Sequence, residues 1–267
     1  MPTRFSILDI PGAGAHATVC IARDRDAGAI RALKVLSADY DAESEEAQRV
    51  RDEGRILQRL QHRGLPRVHE QLEIDGRQVL VMDFVEGPSL AWLLRRIKRF
   101  PADVAVAIAR EIADVVDYAY AGTSGPSGHP VRLVHRDLNL ANVLLDPEGQ
   151  VKVLDFGLAR AEFLDRESYT LVSIQGTPGY CAPEGLRAIR DNPKLDVYSL
   201  GVCLMAMVGG YVPILSRQEA RHAEGLEESL TRLEEILAGA HEGLVDLLRG
   251  MCAFAPEGRP TMSDVRE

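Results

Sequence analysis

The feature that most constrains this fold is a change of hydrophobic period partway along the chain. Residues 1–88 read mainly as strands: RFSILDI, TVCIARD and AIRALKVL are short alternating or apolar runs, separated by turns containing Gly or Asp. RVHEQLEID and QVLVMDFV read as a hairpin turning at Asp75-Gly76. The interruption is DAESEEAQRVRDEGRILQRL, which predicts a helix with acids in its first turns and Ile56, Leu57 and Leu60 along one face. After VEGPS, around 85–89, the helical period takes over. SLAWLLRRI and PADVAVAIAREIADVVDYAYA predict helices, and EESLTRLEEILAG and EGLVDLLRGMC predict amphipathic ones. LDVYSLGVCLMAMV is largely apolar and predicts a fully buried helix. GTSGPSGHP reads as an exposed loop, and no internal repeat or long low-complexity run is present. The closing RPTMSDVRE reads as the first turns of a helix that is expected to be cut short there. The expectation is an α+β chain, with a small antiparallel sheet carrying one helix ahead of a larger, mostly helical part.

Composition narrows the partners. The chain is 46% hydrophobic and 27% charged with a net charge of −9, an ordinary globular balance without the basic field that draws in nucleic acid or an anionic membrane. A polyanionic ligand therefore needs a locally cationic site. Cys20, Cys181, Cys203 and Cys252 lack metal-ligand spacing and suit reduced thiols in a cytoplasmic setting. The start lacks the regions of a secretory signal, and no apolar run approaches a membrane span.

Several short stretches carry chemistry. VHRDLNLANVLL, residues 134–145, crowds polar groups between LVH and NVLL, which read as two short buried strands. Their connector has no glycine, so its own side chains are expected to hold it. IPGAGAHATV is a Gly-rich turn between strands, where Gly12 and Gly14 let backbone N–H groups approach phosphate oxygens. It is not a P-loop, since no Gly-Lys-Ser/Thr follows. Lys34 lies in an otherwise apolar strand, where a lysine ordinarily snorkels to the edge; Glu53, on the side of the next helix that carries Ile56 and Leu57, is the carboxylate a buried lysine needs. In VKVLDFGLAR a strand runs into Asp155-Phe156-Gly157, which suits a divalent-cation ligand on a loop, with Asn142 as a second oxygen donor. GTPGYCAPE, 176–184, is a rigid segment further on.

In this order and spacing the stretches resemble a eukaryotic-type protein kinase catalytic domain of the Ser/Thr class, with a compact scaffold similar to bacterial members. The resemblance spans essentially all of residues 1–267. It implies one bilobal domain, with 1–82 the smaller lobe, 83–88 the hinge and 89–267 the larger lobe. It also implies ATP with Mg²⁺, or Mn²⁺, as cofactors and a protein Ser/Thr hydroxyl as acceptor; oligomeric state is left open. Lys34 would hold the α and β phosphates and pair with Glu53, while Asp137 would orient the acceptor hydroxyl and take its proton. Asn142 and Asp155 would hold the metal, and Gly12, Ala13 and Gly14 would cover the phosphates. Val19, Ala32 and Met82 would bound the adenine, with Asp83 and Val85 offering backbone hydrogen bonds. Arg136 and Arg160 are similar to the basic pair that captures an activation-segment phosphate, for which Ser173 and then Thr170 are the candidates, and Thr177 would sit near Asp137. Asp196 would anchor the catalytic loop, and Glu184 would pair with Arg259.

The chain departs from the family pattern at Ala17, where the third loop glycine would stand, and at Asn139, where Ser/Thr members carry a lysine. An asparagine donates hydrogen bonds without charge, which weakens stabilisation of the transferring group. Two readings follow: a working Ser/Thr kinase, or a pseudokinase that binds nucleotide as a scaffold or switch. A small-molecule phosphotransferase is disfavoured by GTPGYCAPE, a peptide-docking segment in the family. The basic LLRRIKRF reads as a solvated helix face that could bias the cleft towards acidic substrates.

Overall fold

The computed structural model describes residues 4–13, 17–36, 54–124, 130–156, 177, 179–185, 192–239 and 241–267. Strands β1 (Phe5–Ala13), β2 (Ala17–Asp24), β3 (Ala29–Leu36), β4 (Val68–Ile74) and β5 (Arg77–Asp83) form one antiparallel sheet in the order β1-β2-β3-β5-β4. The β4–β5 turn needs two consecutive left-handed residues, and Asp75 and Gly76 supply them at φ 51° and 75°. One face of the sheet buries Cys20, Ala22, Leu33, Val79 and Val81, the inward positions of the alternating runs. Of the helix expected over residues 41–60, residues 54–57 are helical, Gln58 and Arg59 form a turn that ends it early, Leu60 is buried, and residues 41–53 lie outside the described residues.

The larger lobe is helical. Among the described residues its helices are α1 (Leu90–Ile97), α2 (Ala102–Ala121), α3 (Lys194–Gly209), α4 (Glu219–Leu237), α5 (Glu242–Met251) and α6 (Met262–Arg266). Helix α3 is buried at every position from Leu195 to Val208, so with no polar face to show to water it becomes the axis the others surround. Helix α6 opens with a capping box between Thr261 and Asp264. Among the described residues no helix is long and apolar enough to cross a membrane.

Two expectations are corrected. LVH is not a strand paired with NVLL: β8 (Val143–Leu145) pairs with β9 (Val151–Val153). The donors before the loop are taken elsewhere, Leu133 N–H by the Ala119 carbonyl at 3.2 Å and His135 N–H by the Asp196 carboxylate at 2.7 Å. The run read as an exposed loop begins and ends in a short hairpin, where β6 (Thr123–Ser124) pairs with β7 (Pro130–Val131).

The hinge joins the lobes with little freedom. Gly87 has φ 141°, and a Cβ there would stand 2.0 Å from the Leu145 carbonyl oxygen, so only glycine fits the crossing. The segment after residue 60 docks on the larger lobe through Val153 N–H to the Gly64 carbonyl at 2.8 Å and His62 Nε2 to Asp114 Oδ2 at 3.2 Å.

Candidate active site

The polar loop before β8 is held by side chains, as its lack of glycine implies. Arg136 sits at φ 68°, an unfavourable conformation for a side-chain-bearing residue. The buried Asp196 carboxylate compensates, accepting from His135 N–H at 2.7 Å and Arg136 N–H at 2.8 Å. Burial pushes the Asp196 carboxyl up, while His135 and those two N–H groups pull it back. His135 is itself fully buried, its ring 4.6 Å from that of Phe156. Its Nε2 faces the Leu154 carbonyl at 2.8 Å and its Nδ1 faces Asp137 N–H at 3.3 Å. A carbonyl only accepts, so the proton is on Nε2 and Nδ1 accepts. One ring thus ties the loop to the residue just before Asp155.

Asp137 lies at the centre of the site. Its Oδ1 accepts from Thr177 N–H at 2.8 Å, Thr177 Oγ1–H at 3.0 Å and Asn139 Nδ2 at 3.2 Å. Its Oδ2 accepts from Asn142 Nδ2 at 3.2 Å. Asn139 turns inward, only 2% exposed, and acts as a bracket. Its amide donates to Thr177 Oγ1 at 2.9 Å and to the Asp137 carbonyl at 3.0 Å, while its Oδ1 accepts from Ala141 N–H at 2.8 Å and Asn142 N–H at 3.3 Å. Because Asn142 Nδ2 is turned to the Asp137 carbonyl at 2.9 Å, its Oδ1 is the atom left for another partner. The Asn142 carbonyl accepts Leu154 N–H at 2.8 Å, a second tie between this loop and the strand leading to Asp155.

Asp155 stands at φ 64° with its carboxylate 2.7 Å from Lys34 Nζ. The lysine is 12% exposed and the carboxylate 39%, and the pair links β3 of the smaller lobe to the segment after β9 of the larger. The expected pairing of Lys34 with Glu53 lies outside the described residues, as do Gly14, Arg160, Thr170 and Ser173. Gly12 and Ala13 end β1, opposite Val19 and Thr18. Val19 and Lys34 are register partners, as are Ala32 and Met82, which brings these positions to neighbouring points of the sheet. Met82 lines an apolar cavity with Leu57, Val68, Leu80, Asp155 and Phe156, and Val85 lies half-buried in the hinge.

Some contributors were not read from the sequence. The Asp83 carboxylate is clamped by Arg31 at 2.9 Å, His69 at 2.6 Å and Arg67 N–H at 3.2 Å, so the first hinge residue is tied to β3 and β4. The signal was the opposite charge of Arg31 and Asp83, which becomes meaningful once β3–β5 register makes them partners. Cys181 donates weakly to the Thr177 carbonyl at 3.6 Å. Burial first, and then Asp137, pushes its thiol up to about 11, so it packs rather than reacts.

Glu184 and Arg259 meet in a bidentate ion pair at 2.5 and 2.9 Å. The Arg259 side chain is fully buried, and its other donors reach the carbonyls of Ala253, Lys194 and Phe254 at 2.8–3.0 Å. The guanidinium also lies 4.9 Å from the Tyr198 ring centroid. This joins the segment that presents Thr177 to the core helix α3.

The model of the protein kinase domain family matches residues 5–267, so the chain belongs to that family. A curated relative, cAMP-dependent protein kinase type 3 of Saccharomyces cerevisiae, is 31% identical over 222 residues, covering 83% of this chain and 52% of its own. The chain spans about half the length of the curated relatives it matches. Among solved structures it is similar to the Mycobacterium tuberculosis PknI kinase domain, with TM-score 0.71 and 23% identity, covering 98% of this chain and 94% of that one. A structure of Rad53 1-466 in complex with AMP-PNP aligns with TM-score 0.72 and 25% identity, over 99% of this chain and 64% of that one. The bilobal fold expected from sequence is thus the fold of the family.

Proposed function

We propose that this domain transfers the γ-phosphoryl group of ATP to a serine or threonine hydroxyl of a protein. The observation that carries the reading is the arrangement around Asp137. Three hydrogen bonds fix Oδ1, leaving Oδ2, which has one amide donor, to accept a proton. The acceptor oxygen forms a bond to the γ-phosphorus, the bond to the ADP oxygen breaks, and the hydroxyl proton passes to Asp137 Oδ2. Lys34 supplies the cation that a polyphosphate needs in a chain of net charge −9. Thr177, bonded to Asp137 and Asn139, supports the Ser/Thr class by lining the acceptor side of the carboxylate.

The donor set fits a hard divalent cation held jointly with phosphates. Asn142 Oδ1 and the Asp155 carboxylate are oxygen donors, and among the described residues no group of three His, Cys, Asp or Glu forms a self-sufficient metal cage. Mg²⁺ bound there would neutralise charge on the transferring group.

Asn139 favours a second reading. A neutral, fully engaged amide stands where charge stabilisation is ordinarily provided, which suits slow transfer or a nucleotide-binding scaffold. Transfer of labelled γ-phosphate to a mixed protein acceptor, by wild type and by Asp137→Ala, separates the two. Incorporation lost in the variant supports the kinase. Equal background in both, with ATP still raising the melting temperature, supports the scaffold.

A further inference from the structure

The phosphoryl-transfer site leaves one strongly charged surface unexplained. Arg95, Arg96, Lys98 and Arg99 follow one another through the last turn of α1 and its exit, and all are exposed. Among the described residues none of them pairs with a carboxylate, in a chain whose net charge is −9. Arg96 instead lies 4.1 Å from the ring centroid of Trp92, itself 40% exposed, and Ile97 is 48% exposed. Like charges this close repel one another, so an external carboxylate is the group that relieves them.

The run is fixed relative to the catalytic loop. Ala91 N–H donates to the Leu140 carbonyl at 2.8 Å, inside the segment between Asp137 and Asn142. Ser89 bridges to Leu144 and caps α1 through Trp92 N–H at 3.2 Å. At the other end, Phe100 N–H donates to the Met207 carbonyl of α3 at 2.8 Å. The cations therefore sit on a platform anchored to the larger lobe at both ends. The rise from Ala91 to Lys98 is about 10 Å at helical pitch, a span that about three extended residues of a bound chain can bridge.

We infer that Arg95, Arg96, Lys98 and Arg99, around Trp92, form a docking surface for an acidic segment of the protein substrate. This rests on the kinase reading for the identity of the occupant. Attachment to the catalytic loop favours a substrate segment, and the net negative charge of the chain disfavours an anionic membrane. A tract of Asp or Glu would lie over the guanidinium groups, with an apolar side chain against Trp92. The contacts are exposed and therefore salt-sensitive.

The test uses two fluorescent peptides with the same threonine acceptor, one with a Glu/Asp tract several residues away and the other with Gln/Asn there. Binding is measured by anisotropy at low and high salt, and phosphate transfer by kcat/KM. Wild type is compared with the double variant R95E/R96E, whose exposed positions leave melting temperature as a check on folding. Expected is about tenfold tighter binding of the acidic peptide to wild type, lost in the variant and at high salt, with the difference in KM rather than kcat. Equal binding of both peptides overturns the inference, as does capture of phosphatidylserine vesicles without preference for the acidic peptide. Selective binding without phosphate transfer by any form upholds the surface while the kinase reading fails. Transfer that ignores both the tract and the variant upholds the kinase and ends the docking surface.

Discussion

In the smaller lobe the sheet closes over Cys20, Ala22, Leu33, Val79 and Val81, while the larger lobe is built on one continuous cluster around α3 that reaches Val265 and takes in Leu60 from the smaller lobe. The smaller lobe supplements its core with ion pairs near the surface. Arg4 reaches Asp24 at 2.7 Å and also pairs with Glu70, and Arg31 reaches Asp83 at 2.9 Å. The larger lobe has its main pair, Glu184–Arg259, buried and ringed by carbonyls. Part-exposed pairs contribute about 0–1 kcal/mol each and are screened by salt, whereas a buried pair resists screening but leaves a stranded charge if broken. The lobe that contributes the glycine turn and Lys34 is therefore the more dependent on ligand and solution conditions. The lobe that holds Asp137 and Asn142 is a rigid base.

Arg259→Ala tests the rigid base most severely. It removes the partner of Glu184 and the donors to three carbonyls, and should cost about 3–5 kcal/mol by chemical denaturation, without nucleotide present. A variant that unfolds with wild type would refute the role given to the pair. The cores themselves can be compared by one deletion in each lobe. Leu200 is fully buried on α3 and Leu33 is 3% exposed in the sheet. Leu200→Ala should fall at the upper end of about 2–5 kcal/mol and Leu33→Ala at the lower end, since the smaller cluster can collapse around the gap. The reverse order would undo the comparison.

Ligand dependence is the next effect in size. ATP with Mg²⁺ at about a hundred times its dissociation constant should stabilise by about 2.7 kcal/mol. Asp155→Ala should remove most of that gain, because a carboxylate at the metal position is lost and Lys34 loses its carboxylate partner. A thermal shift that persists unchanged in the variant would overturn the assignment of Asp155.

Much of this was legible beforehand because it follows from period and turn chemistry. Alternation gave the strands, Asp75-Gly76 gave the β4–β5 turn, and the largely apolar run from Leu195 to Val208 marked the central helix. That side chains hold the loop at 134–145 was legible from its lack of glycine, although Asp196 and Thr177, outside the loop, share that task with its own residues. What stayed hidden depends on contacts far apart in sequence. LVH has the composition of a strand, but its donors go to Ala119 and Asp196, which no local pattern reveals. Asn139 reads as a weakened donor towards phosphate, and its inward bracket needs Thr177, distant in the chain, to become visible. The Asp83 clamp likewise appears only when register sets Arg31 beside it.

The smallest effect predicted here is the acid sensitivity of the smaller lobe. Asp24 is 1% exposed, and its carboxyl is held down to about 2, first by the Arg4 hydrogen bonds and then, against the opposing effect of burial, by N–H groups of Ala27 and Asp26. A carboxyl lowered in the folded state binds fewer protons there than in the unfolded chain. Its contribution is therefore fully present above the ordinary carboxylate range and is lost as pH falls from about 4 towards 2. Arg4 is 31% exposed, so solvent screening limits the net worth to about 1 kcal/mol. Asp24→Asn should be less stable than wild type at neutral pH, and the gap should narrow through that window. High salt should narrow it at neutral pH as well. Denaturant melts of both proteins at about pH 7, 4 and 2.5 would check this. A gap that stays constant across the series would mean that Asp24 stabilises the lobe by shape and neutral hydrogen bonding. The contrast between a charge-trimmed sheet and an apolar helical base would then rest on the cores alone.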